Sequence, residues 1–195
     1  MKRIEVELTD ENIHGMFAIS FVDQPAIQSG WVALRDHKAE PVKLSADNAK
    51  HIVTGPILIP DLPIYRQMGG EEFEIVFTES VIERLRDKYM KEKRTDQVTE
   101  MHEGGINGVY LVEMWMVADP EQDKSAALGI PQTKGTLMAS MKVDNLDLWA
   151  KVAEGDYTGF SIEAYLDLEK IVMSQHPKED ELVEAVVEVL SELLK

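Results

Sequence analysis

The sequence predicts an α+β fold, built mainly on an antiparallel β-sheet or barrel with several helices at its periphery. Short runs of β-branched and aromatic residues, bounded by turn residues, dominate the first two-thirds of the 195-residue chain. Only a few segments carry the three- and four-residue apolar spacing of an amphipathic helix. Hydrophobic residues make up 44% of the chain, enough for a real core, and no internal repeat or low-complexity tract interrupts them.

Each element follows from its local pattern. Arg3 to Thr9 and Phe17 to Val22 read as strands joined through Asp10-Glu11-Asn12, and Gln28 to Leu34 reads as a third. Ile52 to Ile59 is a fourth strand, broken by Gly55-Pro56 and closed by Pro60 and Pro63. Phe73 to Phe77 alternates cleanly, as a half-buried strand does. Thr78 then caps a helix whose Val81, Ile82, Leu85 and Tyr89 share one face. Val98 to His102 is short and extended, Glu103 to Gly108 is a glycine-rich turn, and Val109 to Val117 is a core strand. Asp119-Pro120 predicts a helix start with Gly129 as its stop. Thr136 to Val143 is a strand, Asn145 to Ala153 a short helix ended by Gly155, and Thr158 to Leu166 a strand.

Residues 1–176 form one predicted domain. Residues 177–195 form an acidic amphipathic helix, with Glu179, Asp180 and Glu181 in its first turn and Leu182, Val186, Val189 and Leu193 on one stripe. That helix either packs on the domain or serves association with a partner or a second copy.

Charge narrows the function classes. The net charge of −16, from 36 acidic and 20 basic side chains, repels phosphate backbones and argues against nucleic-acid binding. No run of about 18 apolar residues is present to span a membrane, and the N-terminal Met1 to Glu7 alternates like a strand rather than a signal peptide. With no cysteine there is no disulfide framework, thiolate metal site or cysteine nucleophile, which fits a reducing cytoplasm. Neither HExxH, an EF-hand loop, a P-loop nor GxGxxG occurs, so neither a metal nor a nucleotide cofactor is expected.

Two positions invite a chemical reading. His102 meets Glu103-Gly104-Gly105 at the end of an extended run, where an imidazole can face a cleft; a bland surface histidine is the alternative. Ser161 and Glu163 project from one face of a strand whose other face carries Phe160, Ile162 and Ala164. The alternative there is an ordinary amphipathic strand with its polar face in water. A serine hydroxyl becomes nucleophilic only when a neighbouring base takes its proton, usually with a third group fixing the base's tautomer.

At these residues the sequence resembles the XkdF-type family of phage serine proteases. These are relatives of the prohead proteases, which share a fold with herpesvirus assemblin. The resemblance is carried by Ala18 to Ile27, His51 to Pro56, Met101-His102-Glu103, Leu111 to Val117, Lys134 to Val143 and Gly159 to Glu163, within about residues 13–167. It implies an assemblin-like fold, His102 as the base and Ser161 as the nucleophile, and it leaves Ser140 without a role. Many prohead proteases carry a glutamate two residues before the serine of an E-x-S-x-V-x-x-P-A segment near their C-terminus. Here the similar segment, Ala18 to Ala26, lies near the N-terminus, as if the fold were permuted, and Ala18 holds the glutamate position.

The third catalytic member then falls to Glu163, with Glu113 as runner-up, unless the enzyme is a dyad. The resemblance further implies a protease that cuts phage scaffold and major capsid proteins, and itself, inside the procapsid in the host cytoplasm. A homo-oligomer is compatible with it. The competing expectation, from Ala18 and the acidic helix, is a non-catalytic capsid-assembly or scaffolding protein that keeps the protease fold.

Overall fold

Side chains that alternate between apolar and polar bury one face of an extended segment and leave the other free. The computed structural model, which describes residues 2–10, 12–23, 44–68 and 70–166, follows that pattern through most of its length. Among the described residues the strands are β1 (Lys2–Glu5), β2 (Gly15–Val22), β3 (Ser45–Asp47), β4 (Ile52–Leu58), β5 (Ile64–Met68), β6 (Glu71–Val76), β7 (Val98–Glu100), β8 (Val109–Met116), β9 (Leu137–Val143) and β10 (Gly159–Tyr165). The helices are α1 (Glu79–Lys91), α2 (Lys124–Ala127) and α3 (Leu146–Glu154). The predicted strand at Gln28 to Leu34 and the predicted helix at 177–195 lie outside the described residues.

Three sheets result, in the orders β1-β6-β5, β10-β2-β7 and β3-β4-β9-β8. Most pairings are antiparallel, but β1 runs parallel to β6 and β2 parallel to β7. The α+β class therefore holds, while the expected barrel does not. Sheets of three or four strands are too narrow to curl closed, and among the described residues none does.

Local chemistry sets α1 and α3. The Thr78 hydroxyl accepts from Val81 N at 3.4 Å and starts α1, whose buried Val81, Ile82, Leu85 and Tyr89 pack it against β2 and β9. Asn145 Oδ1 accepts from Leu148 N at 3.0 Å to start α3, and Gly155, at φ 84°, ends it in the left-handed conformation that glycine adopts without a Cβ clash.

The helix expected from Asp119-Pro120 begins later. Asp119 spends its carboxylate on Glu121 N, closing a local turn instead of a helix cap. Asp123 caps the short α2 by accepting from Ser125 N, while its carboxylate also takes the Trp115 indole N–H. Nor does Gly55-Pro56 break β4. The strand stays paired with β9 through Pro56↔Met138, and the proline is accommodated by a register shift before Leu58.

One contiguous core fills the space between the sheets and α1. Behind β10 and β2, Phe160 and Phe21 are register partners whose rings meet edge to face at 5.2 Å, and Tyr157 also meets Phe21 edge to face, at 5.8 Å. This aromatic floor fixes which face β10 turns inward, and so which way Ser161 and Glu163 turn.

Candidate active site

Strand β2 is the middle of its sheet, and its register lines up the polar side chains. Ser161 on β10 pairs with Ser20 on β2, and Ser20 pairs with Thr99 on β7. Paired residues point to the same side of a sheet, so the three hydroxyls form one row. Glu163, two residues beyond Ser161, adds a carboxylate to that face and pairs with Ala18.

His102 reaches the row through a tight turn. Strand β7 stops at Glu100, so His102 is not the strand end that its sequence context predicts; Met101 and His102 are both left-handed, at φ 52° and 62°. Non-glycine residues held there cost about 1–3 kcal/mol each and persist only where the surroundings fix them. Here Met101 N donates to Phe21 O at 2.9 Å, His102 N to Ser20 Oγ at 2.9 Å, and Glu103 N to Glu100 O at 2.8 Å. Ile106 N then returns to Val98 O at 2.9 Å, which closes the turn back onto β7.

The imidazole faces a carboxylate. His102 Nδ1 lies 3.6 Å from Glu163 Oε1, with the two side chains 43% and 21% exposed. The same Glu163 oxygen accepts the Thr99 hydroxyl. At the root of the turn, Glu100 takes Lys151 Nζ at 2.6 Å and the Tyr157 hydroxyl. Those two donors, Lys151 foremost, hold the Glu100 carboxyl below its ordinary range.

Ser161 is 7% exposed and lines a cavity of about 270 Å³. It is therefore not a hydroxyl on a wet strand face. Among the described residues no hydrogen bond joins it to His102; Ser20 is linked to both, its Oγ accepting from His102 N and its backbone pairing with Ser161. Ser20 and Thr99 are the members that sequence reasoning does not assign to the site. Thr99 is signalled only by its place in a β-type run and Ser20 also by being the serine of the Ala18 to Ala26 segment, but cross-strand register is not written in either run alone.

The other candidates are accounted for elsewhere. Glu113, on β8 in a different sheet, ion-pairs with Lys124 and accepts Ser140 Oγ at 2.9 Å, and Ser140 in turn meets Thr54 Oγ1 at 2.8 Å. Lys124 first and Ser140 after it hold the Glu113 carboxyl low. Ser140 is fully buried. His51 stacks on Trp149 with ring centres 4.6 Å apart. His37 and His176 lie outside the described residues. Among the described residues no three histidine, aspartate or glutamate side chains converge as metal ligands.

Residues 41–169 match the family described as "Putative phage serine protease XkdF". The chain belongs to this XkdF family of phage serine proteases. The match includes His102, Ser161 and Glu163. It begins after β2, so the Ala18 to Ile27 segment that also carried the resemblance lies outside it. No curated protein and no solved structure matches the chain. The herpesvirus assemblin relationship of the XkdF chain thus rests on the sequence resemblance alone.

Proposed function

We propose that this member of the XkdF family is a serine endopeptidase, with Ser161 as nucleophile, His102 as general base and Glu163 as the carboxylate that orients the base. One observation supports the assignment above the others: Glu163 Oε1 lies 3.6 Å from His102 Nδ1 and stands on the same strand and face as Ser161. A carboxylate at Nδ1 favours the tautomer whose Nε2 is free to take a proton, and it stabilises the imidazolium that follows.

In the reaction, Ser161 Oγ forms a bond to the peptide carbonyl carbon while its proton passes to His102 Nε2. Collapse of the tetrahedral adduct breaks the C–N bond, and His102 gives the proton to the leaving amine. Water then hydrolyses the Ser161 ester with His102 again as base. The imidazole must move within reach of Ser161, to which no hydrogen bond joins it among the described residues; catalytic hydrogen bonds are commonly long without substrate and tighten in the complex.

The substrates we propose are phage scaffold and major capsid proteins, and the chain itself, cut inside the procapsid. The test is direct. Purified chain, alone or with scaffold protein, is expected to yield new N-termini, and Ser161→Ala is expected to yield none. Fragments of equal abundance in both preparations would exclude Ser161 as the nucleophile.

A non-catalytic assembly or scaffolding protein is the second reading. The low exposure of Ser161, 7%, and its lack of a described hydrogen bond to His102 favour it. The unaltered chain would then be inert in the same assay and toward a fluorophosphonate serine probe.

A further inference from the structure

Residues 160–162 and 164–166 all line the cavity beside Ser161. Neighbouring residues of a strand point to opposite faces, so a cavity touched by such consecutive runs follows the strand's edge. One edge of β10 is paired with β2, and β10 is the outer strand of its sheet. Among the described residues no strand pairs with the other edge, so the cavity follows an edge whose N–H and C=O groups can pair with an extended peptide.

Its far wall is Leu58, Ile64, Ile75 and Phe77, all buried, with one exception among these apolar neighbours: Arg66. Arg66 sits on β5 two residues after Ile64 and pairs with Phe73, so it projects from the apolar face of that strand. Its Nη1 donates to Tyr65 O at 2.8 Å, and among the described residues no carboxylate pairs with it. A guanidinium has five donors and is costly to bury uncompensated. Burial depresses the pKa of Arg66.

We propose that this cavity is a substrate subsite, in which an extended peptide lies along β10 and presents an acidic side chain to Arg66. The proposal rests on the reading of Ser161 as nucleophile for its place in cleavage, but its binding chemistry is separable from that reading. The apolar wall takes the flanking aliphatic side chains, and the guanidinium takes the carboxylate through charge-assisted hydrogen bonds. The chain's net charge of −16 does not forbid an acidic ligand. Distant charges are screened beyond about 8 Å at physiological salt, whereas a contact pair in a cavity is not.

The test uses the full-length Ser161→Ala chain, which cannot consume its ligand. N-acetyl-Leu-Glu-Leu-amide and its glutamine analogue are titrated against it by NMR. The glutamate peptide is expected to bind about 10- to 100-fold more tightly, the span of a hydrogen bond to a charged group. Adding Arg66→Met, similar in length but uncharged, should bring the ratio to about 1 without lowering the melting temperature, because an unpaired cation has been removed.

Equal binding of the two peptides, a preference that survives Arg66→Met, or a collapse of the melting temperature in that variant would each overturn the subsite. Fluorophosphonate labelling of the unaltered chain, lost in Ser161→Ala, reports on the nucleophile alone. A failure of that reading is thereby distinguished from a failure of the subsite.

Discussion

Glu163 on β10 and Ala18 on β2 are register partners on one face of the same sheet. Ala18 is the position at which the resemblance to prohead proteases calls for a glutamate. A carboxylate is present beside it, supplied by the neighbouring strand. Ala18 is small and buried, and its register partner Glu163 carries the carboxylate on that face of the sheet.

Glu163→Gln is expected to lower turnover on the order of 10³–10⁴-fold, the scale seen when the carboxylate of a serine–histidine–carboxylate triad is neutralised, while leaving the melting temperature near that of the parent. Adding Ala18→Glu should recover part of the loss by restoring a carboxylate to the same patch of sheet. Cleavage kinetics of the single and double variants decide it. Activity in Glu163→Gln within a few-fold of the parent would remove Glu163 from the mechanism.

Ser20→Ala should act on His102 without touching it. The substitution removes the acceptor of the His102 N–H, at 2.9 Å, from a left-handed turn that depends on it. The expected cost is about 1–3 kcal/mol of stability. Turnover should fall with little change in KM, because the base loses its position while the cavity is untouched. A KM effect of equal size would show instead that Ser20 shapes the substrate cleft.

Tyr89→Phe is expected to be neutral or stabilising by about 1 kcal/mol. The Tyr89 hydroxyl is buried within α1 and finds no hydrogen-bond partner among the described residues, and burial pushes its phenol pKa up. Replacement by phenylalanine keeps the ring and removes the unpaired group. Urea denaturation would read the change. A loss of more than about 1 kcal/mol would mean that the hydroxyl has a partner after all.

Stability in acid should depend on Glu100. Its pKa in the fold lies below the ordinary 4.5, because Lys151 and Tyr157 hydrogen-bond its charged form. The stabilisation is thus complete above pH 4.5 and is lost as pH falls through the lower, folded value. Glu100→Gln should melt at a lower temperature than the parent at neutral pH, and the two should converge below that range. Parallel melting curves across all pH values would exclude this linkage.

The helices and the strands differ in how far the sequence exposes them. Thr78, Asn145 and Gly155 act on backbone groups within a few residues, so α1 and α3 are legible from short windows. Asp119-Pro120 misleads because aspartate serves a local turn as readily as a helix cap, and only the surroundings of Asp123 and Trp115 decide between them. Strand β5 is hidden by Arg66, a charge where an apolar residue completes the alternation, and β3 by being only three residues long. Within the site, the shared face of Ser161 and Glu163 follows from period two alone. The approach of His102 to Glu163 does not, since it depends on the parallel pairing of β7 with β2, on Ser20 of that same β2, and on β10 pairing along the other side of β2.

The position of β2 between β7 and β10 also gives the molecule an order of events. The strand that fastens the histidine turn is translated early, the histidine follows, and the serine arrives on the last described strand. A nascent chain that stops short of Gly159 has the proposed base but not the proposed nucleophile, and β2 lacks its pairing with β10. On the proposed assignment, any proteolytic competence would be deferred until β10 pairs with β2, and a growing polypeptide would be spared from cutting itself while it is still being made.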